Sequence, residues 1–170
     1  MGTAVLVMAA GYFIGGAAGD WAFRRSPRGR LGVCAVGVLL GAVLLPLNVP
    51  LAEQGLFLAL LSLTAVFVPF ASPNVVATVY DVTLPEVRST ALAVQSFIEE
   101  SGAALAPVLT GFIAVRASLG DAILMICVAA WLLCAAAFAA AAWVVPADIA
   151  ALRAQLRARA AALRPAASRD

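Results

Sequence analysis

Five stretches of apolar sequence, each about twenty residues or longer and joined by connectors of a few residues, limit what this chain can fold into. They run approximately over residues 3–23, 31–50, 55–80, 89–115 and 122–145. A helix needs about 20 mostly apolar residues to cross the roughly 30 Å hydrocarbon core of a bilayer. The connectors "RRSPRGR", "NVPLAEQ", "DVTLPEVRS" and "RASLGD" carry the turn residues and most of the charge. Charged residues make up 12% of the chain and hydrophobic ones 64%. A soluble domain of this size carries about a quarter of its residues charged. The reading is an all-α membrane protein with five transmembrane helices over residues 1–146 and a basic tail over 147–170.

Short connectors make neighbouring spans antiparallel, and the arginines then set the sidedness. Arg24, Arg25, Arg28 and Arg30 lie in the first connector, Arg88 in the third, and Arg153, Arg157, Arg159, Arg164 and Arg169 in the tail. In a five-span chain all ten fall on one side, and only Arg116 falls on the other. The positive-inside rule makes the arginine side cytoplasmic and places Met1 outside. The expected location is a bacterial plasma membrane. A signal peptide would need basic residues ahead of the first apolar stretch, and "MGTAV" has none. Myristoylation is disfavoured because Leu6 stands where Ser or Thr is required.

The chain contains no His, which removes the commonest general base and zinc ligand. Cys34, Cys127 and Cys134 are flanked by apolar residues at membrane depth and read as structural thiols. No Gly-rich phosphate loop or nucleophile–base pairing is present, so the expectation is a non-enzyme without a cofactor, metal or nucleic-acid partner. The bilayer and a small-molecule substrate are the expected partners.

The spans differ in polarity. "LGVCAVGVLLGAVLL" and "AILMICVAAWLLCAAAFAAAAWVV" have no charge, amide or hydroxyl and can face lipid all round. The third span, "LSLTAVFVPFASPNVVATVY", has Pro69, Ser72, Pro73 and Asn74 near its middle. Proline removes a backbone donor and kinks a helix. Broken backbone at membrane depth is tolerated inside protein or along a water-filled cavity. The fourth span carries Gln95, Ser96, Glu99 and Glu100. Glu99, ten residues beyond Ser89, lies roughly 15 Å deep, near the bilayer centre. Acids at that depth usually face a bundle interior or an aqueous path. Gln95 and Glu99 share a helix face while Glu100 points elsewhere, so Glu99 is the candidate proton-carrying acid, with Gln95, Asn74 and Ser72 as candidate cavity residues. A glutamate that clamps two helices is the alternative. Gly11, Gly15 and Gly19, and Gly37 and Gly41, recur every four residues, a spacing that lets helices approach closely. In the tail, Ile149, Leu152, Leu156 and Leu163 form an apolar stripe flanked by arginines, suited to lying along the anionic inner leaflet. A solvated tail is the other reading.

Gly16, Asp20, Arg24 and Arg25 together resemble the loop motif Gly-x-x-x-Asp-Arg-x-Gly-Arg-Arg of the major facilitator superfamily, which follows the second and eighth of its twelve spans. Trp21 and Phe23 depart from that motif. "DVTLPEVRSTALAVQSFIEESGAALAPVLTG" is similar to the junction of the tenth and eleventh spans. The resemblance covers the chain to about Pro146 and corresponds to spans eight to twelve, the first seven being absent. It implies a C-terminal portion of a secondary transporter that moves a small solute, with proton coupling. It further implies that Asp20 holds a cytoplasmic gate, and that Arg24 or Arg25 pairs with Asp81 or Glu86 near Arg88. Such contacts would form in the outward-open state and break as the halves rock. A missing N-terminal half or another membrane protein is then an expected partner. The alternative is a small five-span scaffold or regulator that binds a membrane protein.

Overall fold

The computed structural model describes residues 2–48, 53–116 and 118–167. Helix α1 spans Gly2–Arg25 and α2 spans Gly29–Leu47. The third span is α3 (Gln54–Phe67), a 3-10 turn at Val68–Phe70, and α4 (Ala71–Val82). A second 3-10 turn at Pro85–Val87 leads into α5 (Arg88–Ala114), and α6 runs from Leu119 to Ala167. Among the described residues five helical segments, the broken third one included, are long and apolar enough to cross a membrane, which fits an integral membrane protein. The end of the second expected span, Val49 and Pro50, lies outside the described residues.

Helix α2 is the centre. It packs on α1, α3, α4 and α6, whereas α5 touches α6, α4 and the turn before it. Burial follows this arrangement: Leu31, Cys34, Val38 and Ala42 of α2 are enclosed, and no residue of α5 is. In lipid there is no hydrophobic push between helices, so close backbone approach and polar contacts hold them. Gly11, Gly15 and Gly19 put one face of α1 directly on the break in the third span. A side chain at Gly11 would strike the Val66 carbonyl, at Gly15 it would come within 2.7 Å of Phe70 Cα, and at Gly19 it would strike Asn74. From the other side, Gly37 of α2 admits Phe70 and Gly41 admits Trp131 of α6.

The break itself is a consequence of Pro69 and Pro73, which lack donors at two points four residues apart. Asn74, expected to line a cavity, is instead 1% exposed. Its Nδ2 donates to Phe70 O at 2.8 Å and, across the helix interface, to Gly15 O at 2.9 Å. A primary amide has two N–H groups, and both are used here. Ser72 also faces α1, where its Oγ accepts from the Tyr12 hydroxyl at 2.9 Å. Both residues therefore bind the kinked span to α1.

The tail differs most from expectation. It does not turn to lie along the leaflet. It continues α6 without interruption through Pro146, giving a helix of 49 residues. At about 1.5 Å per residue that is roughly 73 Å, far more than a bilayer core of about 30 Å can hold. Ile149 and Leu152 are 3% and 8% exposed, so the first half of the apolar stripe faces the protein, whereas Leu156 is 37% exposed. The side chains of Leu163 and Arg164 lie outside the described residues.

Gly15→Ala forces a methyl onto Phe70 backbone and is expected to cost about 1–3 kcal/mol. At Gly16 the nearest contact would be an ordinary 3.7 Å to Pro73, so Gly16→Ala should leave thermal unfolding in detergent unchanged or raise it slightly. Equal melting temperatures for the two variants would mean that the glycine face does not seat the broken span.

Candidate functional site

Ion pairs and stacked arginines gather at one end of the bundle, where α1 meets α2, α4 meets α5, and α6 leaves the apolar region. The loop Ser26–Arg28 turns the chain so sharply that a side chain at Gly29 would strike the backbone of Ala22. Arg30, one residue past that glycine, is thereby directed back towards α1 and α4. Its Nη2 donates to Asp20 Oδ1 at 2.7 Å, and its Nη1 donates to Asp81 Oδ2. The Arg30 side chain is 14% exposed, Asp81 28% and Asp20 62%. One guanidinium thus ties three helices, α1, α2 and α4, with a different nitrogen committed to each acid.

The acids expected at the gate are in place, but their partner is not the expected one. Neither Arg24 nor Arg25 pairs with Asp81 or Glu86. Both remain on the last turn of α1, exposed, with Arg25 stacked 3.6 Å from the Trp21 ring centre. Only a residue beyond the Pro27 turn can point back across the helix pair, and Arg30 is that residue. The usable sequence signal was the Gly-Arg pair Gly29–Arg30 just after the turn. Trp21 and Phe23, the two departures from the loop motif, also have structural roles. Trp21 seats Arg25, and Phe23 lies 4.1 Å under Arg30. A ring face within about 6 Å attracts a cation. Gly16, by contrast, is not tightly packed.

Glu86 sits in the turn before α5, and Arg159 of the tail reaches it at 2.7 Å. Its own backbone N–H, and then Arg159, hold the Glu86 carboxyl below its usual range. Val82, Leu84 and Val87 share a cleft of about 390 Å³ with Asp148, Leu152 and Gln155 of the tail. Arg88 donates to Tyr80 O at 3.2 Å and lies 5.0 Å from the Tyr80 ring centre. The Arg28 guanidinium is 5.2 Å from the Trp143 ring centre. First connector, third connector and tail therefore share one end of the molecule, as the arginine distribution requires. Arg116 closes the far end of α5.

The second expected cluster is not assembled. Gln95 Nε2 donates to Glu99 Oε1 at 3.0 Å along α5, while Asn74 and Ser72 are committed to α1. Glu99 and Glu100 are exposed. Eleven residues from Arg88, Glu99 lies roughly 16 Å along the helix, at mid-bilayer depth. Gln95 is half-buried, its Oε1 enclosed and without a hydrogen-bond partner among the described residues. The chain matches no family model and no curated protein.

Two outcomes follow from this geometry. Arg30→Gln leaves Asp81 without its partner and should destabilise the chain by about 1–3 kcal/mol in detergent unfolding. Arg30→Lys should recover only part of that, because an ammonium cannot fork to two carboxylates. Asp81→Asn should cost more than Asp20→Asn, since Asp20 is largely solvated; the reverse order would disprove the hub.

The tail is held chiefly by burying Ile149 and Leu152, at about 1.5–3 kcal/mol each in water, whereas an exposed ion pair adds little. Trypsin should therefore cut at Arg153 and Arg157 much faster in Ile149→Ala/Leu152→Ala than in Glu86→Gln. Because the Glu86 pKa is depressed, the ion pair's contribution is fully present above the ordinary value of 4.5. It is lost as pH falls through the lower folded value. Tail protection probed by a spin-label distance should be flat from neutral pH down to about 5 and weaken only in stronger acid.

Proposed function

We propose that the chain acts in transmembrane transport of a small solute, as the C-terminal portion of a secondary transporter of the major facilitator type with proton coupling. The observation that carries this reading is the Gln95–Glu99 pair on α5. An ionisable group at mid-bilayer depth is costly against acyl chains and is ordinarily found against a bundle interior or an aqueous path. Here it stands on the one spanning helix without a buried residue, so that face is fitted to an aqueous path shared with another membrane domain.

Three further features support it. The loop pattern Gly16-x-x-x-Asp20 is followed by basic residues, and the turn Pro85-Glu86-Val87-Arg88 opens α5. The third span is broken at depth and bound to α1 through Asn74. Arg30 joins three helix ends with charge pairs that a change of tilt between the helices would break. On this reading the arginine-rich end is cytoplasmic, and Arg30, Asp20 and Asp81 form a gate that must open for release. A scaffold that binds a membrane partner uses the same uncovered face, and the two readings separate by whether water reaches it.

Single cysteines placed at Gln95, Phe97, Glu99 and Gly102 in a cysteine-free background answer this in native membranes. A path lined by α5 predicts labelling of positions 95, 99 and 102 by a membrane-impermeant maleimide, with position 97, on the opposite face of the helix, protected. Glu99→Gln should abolish proton-driven uptake and leave membrane insertion intact. Protection at all four positions would exclude the aqueous path and leave the partner-binding face.

A further inference from the structure

An apolar groove of about 420 Å³ opens on the outer surface between α1 and α2, on neither the ion-pair hub nor the α5 face. Ala18 and Ala22 form one wall, Gly29, Gly32 and Leu40 the other, and Phe70 closes its inner end. From Gly29 to Leu40 is eleven helical steps, or roughly 16 Å, which is about half of a 30 Å hydrocarbon core and so the depth of one leaflet. The volume spread over that length gives a mean cross-section of about 26 Å². A helix 10–12 Å across cannot enter it, whereas a single hydrocarbon chain can.

What lies at its mouth identifies the headgroup. The groove ends at the Ser26–Arg28 turn. Arg25 stands one turn beyond Ala22 on the same face of α1, and Arg28 directly precedes Gly29. Arg24, Arg25 and Arg28 are all exposed, and among the described residues none of them forms a salt bridge; the hub arginine is Arg30. Arg25 rests on Trp21 and Arg28 on Trp143. Those indoles are 58% and 74% exposed, and exposed tryptophans at a span end sit at headgroup level. Two guanidiniums held at that level, neither of them in a salt bridge among the described residues, match a phosphate. Basic pockets between spanning helices bind acidic lipid headgroups on this principle.

We infer that the α1–α2 groove is a binding site for one anionic phospholipid, with an acyl chain between Ala18 and Leu40 and its phosphate on Arg25 and Arg28. The inference requires that the chain spans a bilayer and is independent of the transport reading. The lipid would fill the space left by the glycines of α2, and would neutralise arginines that the hub does not use.

Native mass spectrometry of the full chain in detergent, titrated with phosphatidylglycerol or with phosphatidylcholine of identical acyl chains, tests it. Each arginine near an acidic headgroup is worth roughly a factor of five, so phosphatidylglycerol should bind about 25-fold more tightly. Arg25→Gln/Arg28→Gln should reduce that preference to within about twofold, and Arg25→Lys/Arg28→Lys should keep most of it. Gly32 has no atom within 4 Å of where a Cβ would stand, so Gly32→Leu folds but fills the groove and should abolish tight retention with both arginines intact. Equal binding of the two lipids would overturn the site. A preference that survives the glutamine pair would place it elsewhere, and one that survives Gly32→Leu would reduce it to surface attraction.

Discussion

Every backbone carbonyl at membrane depth must find a donor inside the protein, and the third span breaks that rule most openly. Pro69 and Pro73 each remove an N–H where no water is available to substitute. The structure seats the break between two glycine faces, Gly11, Gly15 and Gly19 on one side and Gly37 on the other, and fastens it to α1 through the Asn74 amide. The position of α4 follows from that seat. Asn74 and Asp81 are two turns apart on α4, about 10 Å, so clamping Asn74 against Gly15 brings Asp81 to the level at which Arg30 can reach it. A shift of α4 along its axis by one residue would separate Asn74 from Gly15 and Asp81 from Arg30 together.

The arginine-rich end is organised by side-chain geometry more than by net charge. Arg30 is drawn inward, and its planar fork serves two acids on different helices. Arg25, Arg28 and Arg88 lie on Trp21, Trp143 and Tyr80, so aromatic faces and not carboxylates hold them. The same end thus contains a locked charge and several unlocked ones, and these suit different tasks. A locked pair between helix ends resists relative motion, while a stacked and unpaired arginine remains available to an anion.

Two solvents act on one chain. Within the apolar region α5 is the least enclosed helix and carries its acids outward, because no hydrophobic push drives it inward. A few residues away, where α6 has passed Val145, water replaces lipid and the rules change. Ile149 is then buried, Leu152 faces the turn between α4 and α5, and Glu86 meets Arg159. The tail is accordingly a rigid extension of the last span, fastened to the loop that starts α5. Any tilt of α5 would be felt by the tail, and the tail would restrain it.

The sequence by itself determined the number of apolar helical segments, the end at which the arginines gather, and the break at Pro69. Those properties depend on apolar length, connector length and backbone chemistry, all of which are local. The glycine spacing likewise revealed that α1 packs closely, but not that its partner is the broken third span. Tertiary structure alone decided that Arg30 and not Arg24 or Arg25 meets the acids, since this depends on the direction of the chain after a turn. It alone placed Asn74 in a helix interface and not in a cavity, because an amide at depth can satisfy either need and only its neighbours choose. The tail carries a related ambiguity. An apolar stripe at helical spacing can face a lipid surface or a protein surface, and the periodicity is identical in both.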